Sequence, residues 1–521
     1  MLWERFQFRK GKEMDLKAKI GQRIMSGFPG PEMNEEFINL VKEYKVSNVI
    51  LFKHNIVNKK QLKKLCADIQ TLVKSETGHP ALIGIDQEGG VITRLPSDCV
   101  NVPGAMAIAA TGDPGYATKA AEITGRELRA LGIQIDYAPV ADVNNNPLNP
   151  IIGSRSFGDT PEQVSRYCLA TLKGFNNTGI IATAKHFPGH GDTANDSHVS
   201  LPMIDKSLDE LYEMELVPFK ALIEENIPSI MTTHILFPQI EKEKIPATMS
   251  RRIITGLLKE ELGFKGLITS DCMEMGAIAE YYGTAKGVAA AMAAGVDMVM
   301  ISHTVSKAVE AIKEVEKAVA DGRISMNEMD ESVDKILMYK KQYCLDPKGE
   351  AGTKEAFEAS EEIRNKTITL VSGKIPPLGD KPVFVGCADY RSGMVSNVEI
   401  NDTTSAGFMA GRIGGDSYVT TKDPTDEEIA KVEDYVKGHT SIIVNTYNGH
   451  LYDGQMKLVK AMSDMNIPMI LIALRNPYDL KDLPSHVAGI AAWDYSNETL
   501  AALVPFVTGK VKPTGKMPIA L

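Results

Sequence analysis

Cysteine is scarce in this 521-residue chain: six residues, Cys66, Cys99, Cys168, Cys272, Cys344 and Cys387, none of them in a CxxC pair. So sparse a use suits a reducing compartment better than a disulfide framework. Runs of Lys or Arg are also missing, and the formal net charge is −10. A polyanion would find no concentrated basic patch, which argues against a nucleic-acid partner. No stretch approaches the roughly 18 apolar residues that a bilayer-spanning helix needs, so no membrane partner is expected. The first residues, "MLWERFQFRKGKEMDLKAKI", contain neither a continuous apolar segment nor a small-residue cleavage site. The expected location is therefore the cytoplasm. Internal repeats and low-complexity tracts are absent too.

Apolar content of 43% and charged content of 24% are those of a globular protein, and the length calls for two or three domains. Short apolar runs alternate with stretches of helical spacing such as "NEEFINLVKEY" and "AMAIAATGDPGYATKAAEITGRELRALG". The runs are "RIMSGF", "NVILFK", "ALIGID", "QIDYAPV", "IIATAKH", "SIMTTHI", "GLITSD" and "DMVMIS". Continuous rather than alternating apolar strands indicate a parallel sheet covered on both faces. Eight such units predict a (β/α)8 TIM barrel with insertions, and an open doubly wound sheet is the alternative. Charged and polar residues recur at the strand ends: Lys53, Asp86, Asp142, Lys185, His186, His234, Asp271 and His303. In a barrel those ends open on one face, where catalytic groups gather. The barrel is assigned to residues 1–345, with Ser325 and Glu328 as a capping box for its last helix. A linker follows over 346–370. A second α/β series over 371–521 carries "PVFVGC", "TSIIVNTY", "MILIAL" and "HVAGIAAW", and is read as a C-terminal α/β sandwich domain. Within it "NTYNGH", from Asn445 to His450, is read as a surface loop rather than as the lining of a cleft facing the barrel.

The segment "KHFPGHGDTANDSH", Lys185 to His198, crowds titratable groups after a buried strand. Three readings compete. His186 and His190 have H-x3-H spacing, but Pro188 and Gly189 forbid the regular helix that would give this spacing meaning for a metal. The segment is otherwise a polar loop shaped by Gly and Pro, or an acid/base apparatus. In the last reading Asp196 and His198, two residues apart, face the same side of an extended chain. The carboxylate sets the imidazole tautomer, and a pKa near about 6.5 suits proton transfer. Asp271 and Glu274 form either an N-cap pair or, in the case of Asp271, a nucleophile at a strand end.

With "IDQEGGVITRLP", "YAPVADVNNNP", "GSRSFG" and "ITSDCMEM" in order, this segment resembles the family 3 glycoside hydrolases. The branch is that of β-N-acetylhexosaminidases acting in peptidoglycan recycling, and the resemblance covers about residues 19–340. It implies a retaining exo-β-N-acetylglucosaminidase that removes terminal N-acetylglucosamine from cell-wall fragments. By it, Asp271 is the nucleophile and His198 the acid/base, oriented by Asp196. Asp86, Arg94, Arg155, Lys185 and His186 bind the sugar, and the Gly89–Gly90 turn presents Asp86. For Arg94 and Arg155, structural salt bridges are the alternative. Retaining glycosidases generally use two carboxyl groups, and a His–Asp dyad departs from that pairing. A neutral histidine base repels an anionic acceptor less than a glutamate does, so phosphorolysis stands beside hydrolysis. A β-glucosidase or β-xylosidase, and a catalytically silent sugar-binding protein, are further alternatives. The loop holding His198 is expected to move on sugar binding. No metal or cofactor is expected. The expected partner is a saccharide or muropeptide, and the expected state a monomer or weak oligomer.

Overall fold

The computed structural model describes residues 13–193, 201–387 and 404–521. Eight parallel strands close into a barrel. They are β1 (Ile24–Ser26), β2 (Asn48–Leu51), β3 (Leu82–Ile85), β4 (Ile135–Asp136), β5 (Ile181–Phe187), β6 (Ser229–Thr232), β7 (Leu267–Cys272) and β8 (Met298–Ile301). Closure is by β8 on β1, with Ile24, Met25 and Ser26 opposite Val299, Met300 and Ile301. All eight apolar runs thus become barrel strands, and the open doubly wound sheet is excluded for this part of the chain. Successive residues serve opposite faces. Met25, Ile50, Leu82, Ile135, Ile181, Met231, Leu267, Met298 and Met300 fill the barrel. Ile24, Val49, Leu51, Ile83, Val299 and Ile301 meet the surrounding helices. Both faces are dry, which is why the runs do not alternate.

The helices obey local chemistry. Helix Glu35–Tyr44 starts at Asn34, whose side chain accepts from Phe37 N–H, and helix Lys59–Thr77 starts likewise at Asn58. One stretch of helical spacing is divided, and two cap readings are corrected. The long stretch from Ala105 forms two helices, Ala105–Ala110 and Gly115–Leu131. Gly112 at φ +75° and Pro114 break it. Ser325 does precede helix Met326–Tyr343, but its side chain caps nothing. Glu328 instead pairs with Arg251 at 2.6 Å, because a cross-element cation outcompetes the local cap. Asp271 and Glu274 start no helix, since the next one begins only at Gly276.

Helix Met326–Tyr343 supplies Ile336 and Tyr339 to the barrel interior. Its Lys340 is fully buried and donates to Gln22 Oε1 at 2.7 Å, Ser47 Oγ at 2.8 Å and Ser47 O at 3.2 Å. Burial, only slightly countered by Cys344, pushes its ammonium down to about 7. The folded value lies below the unfolded one, so between them the unfolded chain binds the extra proton and stability rises with pH. Relative to Lys340→Met, the wild type should gain about 1.4 kcal/mol per pH unit between roughly pH 7 and pH 10. Urea-unfolding midpoints of both proteins across that range test this.

The second sheet has the order β11-β10-β12-β13-β14-β9. Its strands are β9 (Thr369–Ser372), β10 (Pro382–Cys387), β11 (Asp416–Thr420), β12 (Ser441–Thr446), β13 (Met469–Ala473) and β14 (Val487–Ala491). All pairs are parallel except β14 with β9. Helices cover both faces: Val432 and Val459 pack on one, Met409 and Leu503 on the other. This is the expected α/β sandwich. Met106 and Ala107 of the barrel part join its first core, and Val91 and Ile92 its second.

Candidate active site

At the carboxyl ends of the barrel strands lies a cavity of about 590 Å³. Asp86, Glu88, Arg94, Arg155, Lys185, His186 and Asp271 all line it, as do His190 and His303. The polar strand ends Lys53, Asp142 and His234 do not. Lys53 turns its ammonium to Leu95 O at 3.4 Å. His234 bonds Cys272 O at 3.0 Å and Thr248 Oγ1 at 3.0 Å, bracing the end of β7 from behind. The apolar wall includes Phe52, Ile92, Met231 and Met300, so the polar groups converge in a partly dry space, as ligand sites require.

The loop after β3 is folded by its own residues. Gly89 at φ +89° and Gly90 at φ +56° make a turn closed by paired backbone bonds between Gly89 and Ile92. Gln87 Oε1 accepts the backbone N–H of Arg94 and Leu95 at 2.7 and 3.0 Å. Two carboxylates and two cations then alternate. Lys185 Nζ lies 2.8 Å from Asp86 Oδ1 and 2.6 Å from Glu88 Oε1. Arg155 donates from Nε and Nη2 to both Glu88 oxygens, each at 2.8 Å, a bidentate pair. Burial works against the Glu88 charge, but Arg155 and Lys185 overcome it and hold this carboxyl well below the usual range. Arg155 is thus salt-bridged and also faces the cavity. Arg94 is different: it is buried, and its Nε and Nη1 have no hydrogen-bond partner.

His186 Nδ1 lies 2.7 Å from Asp142 Oδ2, while Asp142 Oδ1 accepts the backbone N–H of His186 and His190 at 3.1 and 2.8 Å. Burial would raise the Asp142 carboxyl, but His186 outweighs it and holds it below the ordinary range. The ionised oxygen therefore takes Nδ1–H and leaves Nε2 for the cavity. His190 contacts Thr193 Oγ1 through Nδ1 at 2.9 Å. Burial, then the neighbouring His186, pushes it down to about 4, so it is neutral at pH 7. His186 lies within β5, so the H-x3-H spacing belongs to strand and turn, not helix.

Asp271 stands half-buried within β7, and its Oδ1 accepts Cys272 N–H at 2.7 Å. Glu274 also lines the cavity, and its Oε1 accepts from Thr304 N–H at 3.1 Å. Asp196 and His198 lie outside the described residues, as does the expected movement of their loop. Sequence reading missed two groups. Glu88 was legible only as an acid two residues after Asp86 and before Gly-Gly. Asp142 was read as a strand end, and nothing local links it to His186. A third outcome is a correction: "NTYNGH" is no surface loop. Asn445, Thr446, Tyr447 and Asn448 are all buried. Asn476 and Tyr478 of the same domain bond Ser154 N–H and Asn144 Nδ2 of the barrel at 2.8 Å each, so the following loops pack on the barrel.

This arrangement agrees with comparison to known proteins. The profile of the Glycosyl hydrolase family 3 N terminal domain matches residues 15–339. The structure is similar, with a TM-score of 0.91 and 36% identity, to a glycoside hydrolase family 3 beta-N-acetylglucosaminidase from Paenibacillus sp. str. FPU-7. That likeness covers 98% of this chain and 99% of the other. Beta-hexosaminidase A of Pseudoalteromonas piscicida is 38% identical over 288 residues, which are 52% of this chain and only 47% of the relative. Beta-hexosaminidase of Stenotrophomonas maltophilia (strain K279a) is 34% identical over 286 residues, 54% of this chain and 83% of the relative.

Proposed function

We propose, because the chain belongs to glycosyl hydrolase family 3, that it is a retaining exo-β-N-acetylglucosaminidase acting on cell-wall fragments. The observation that carries this is the placing of Asp271, a half-buried strand-end carboxylate, in one cavity with the Asp86–Lys185–Glu88–Arg155 network and Arg94. The network's remaining donors and acceptors suit the hydroxyls of a terminal sugar, and Arg94 and His186 Nε2 add two more polar contacts. Asp271 attacks the anomeric carbon and forms a glycosyl ester as the aglycone oxygen leaves with a proton. A water, losing its proton to the same acid/base, then cleaves that ester and restores Asp271. His198, supported by Asp196, is the acid/base in this reading. The names of the relatives support the N-acetylhexosamine specificity.

The proposed setting is the cytoplasm, with muropeptides as substrates and a monomer or weak oligomer as the working unit. All six cysteines are unbridged, and no helix among the described residues is long and apolar enough to cross a membrane. The test is hydrolysis of nitrophenyl β-N-acetylglucosaminide and β-glucoside, each with and without phosphate. Turnover of the first substrate in phosphate-free buffer is expected, with free N-acetylglucosamine as product. Preference for the glucoside overturns the specificity, and a sugar 1-phosphate as sole product overturns hydrolysis.

A further inference from the structure

The second sheet changes direction between two neighbours. From β10 the chain moves outward to β11, then returns to β12 on the other side and continues to β13 and β14. In open α/β sheets such a switch point leaves a crevice at the carboxyl ends of the two central strands, where ligands bind. Here those ends are Gly386 and Cys387 of β10 and Asn445 and Thr446 of β12. Gly386 lets Ser405 and Asn445 approach β10 closely, since a Cβ there would lie 3.1 Å from Ser405 Oγ and 3.4 Å from Asn445 Cβ. Ser405 begins the nine-residue helix Ser405–Ile413, whose amino end favours an anion.

Two buried side chains at this crevice have unmet hydrogen-bonding capacity. Asn445 is 4% exposed, and neither its Oδ1 nor its Nδ2 has a partner. Arg475 is 9% exposed, and its Nε has none. Arg475 Nη1 donates to Tyr447 Oη at 2.9 Å, and the guanidinium stands over the Tyr447 ring at 5.6 Å. Tyr447 and Asn445, two residues apart, share one face of the strand line. Arg475 is always charged, yet no carboxylate of the described residues pairs with it. A buried charge without a counter-charge is costly, and so is a buried amide with nothing to bond. Native proteins keep such groups where something else meets them. None of these residues lines the barrel cavity.

We infer that this crevice binds a small molecule carrying a phosphate group, held by Arg475 and Asn445 beside the start of helix Ser405–Ile413. The site is separate from the barrel site and independent of the reaction proposed above. Isothermal titration of the full chain with inorganic phosphate and with glucose 6-phosphate, at constant ionic strength, tests it. Saturable binding of one equivalent of at least one probe is expected. Arg475→Met should weaken it at least about tenfold, a loss of about 1.4 kcal/mol, and Asn445→Leu should weaken it in the same direction. Arg94→Met and Asp271→Ala, altered in the barrel cavity, should bind as the wild type does. Undiminished nitrophenyl glycoside hydrolysis by Arg475→Met and Asn445→Leu would show that both are folded. Tighter binding of glucose 6-phosphate than of phosphate would identify an organic phosphate, and equal binding the free ion. Absence of saturable binding to either probe overturns the inference. So does binding that survives both second-domain substitutions, or that is lost only in Arg94→Met.

Discussion

Asp271→Asn should lower kcat on nitrophenyl β-N-acetylglucosaminide by a factor on the order of 10⁴ or more, with KM changed far less. The magnitude follows from removing a nucleophile, which abolishes the covalent route and leaves only binding and electrostatic assistance. The substitution is nearly isosteric, and the bond that Asp271 Oδ1 accepts from Cys272 N–H can be kept by an amide oxygen. Folding should therefore be intact, and a melting temperature close to that of the wild type would confirm it. Steady-state kinetics provide the first check. The second is chemical: a fluorinated substrate that slows breakdown of the ester should leave a sugar adduct on the Asp271 peptide of the wild type. An adduct on another side chain, or an initial product of inverted configuration, defeats the proposed mechanism.

Glu88→Gln should be nearly as damaging, by a different route. Among the described residues, Glu88 is the one carboxylate that touches both Arg155 and Lys185. Its side chain is 6% exposed and that of Lys185 is 2% exposed, so water screens little of the interaction. Removing one member of a buried ion pair leaves an uncompensated charge, a cost of about 3–5 kcal/mol. Part of that cost appears as stability, and a lowered urea midpoint is expected. The rest appears as misplacement of the two cations that line the cavity, so kcat/KM should fall roughly 10²-fold or more, largely through KM. The acid limb of stability adds a signature. The Glu88 carboxyl is held below its unfolded value. Its stabilisation is complete above the ordinary carboxylate range and is lost as the pH falls beneath it. Glu88→Gln should flatten that part of the profile, which unfolding midpoints between about pH 5 and pH 2 would detect.

Both predictions rest on residues of unequal visibility. Asp271 was visible as a polar residue closing an apolar run, and as part of a recognisable motif. The barrel was legible for a related reason. Strands buried on both faces must be apolar throughout, so each leaves a mark in the chain. Edge strands leave none: β11, "DSYVT", is mostly exposed, and β9 pairs with only β14. Neither needed an apolar run, and both escaped notice. The cap proposed for Ser325 and Glu328 failed because a local pattern cannot show that Arg251, far along the chain, competes for the same carboxylate.

By itself, the sequence determined the order of strands and helices and the set of ionisable groups available at the strand ends, because burial and capping act within a few residues. Only the tertiary structure decided which of those groups act together. It set Glu88 between Arg155 and Lys185, turned Asp142 to His186, and buried both Asn445, which the sequence places in a surface loop, and Arg475 in the second domain. Charges interact strongly only within a few ångströms and out of water, and that proximity comes from barrel closure and sheet order, which join residues distant in the chain.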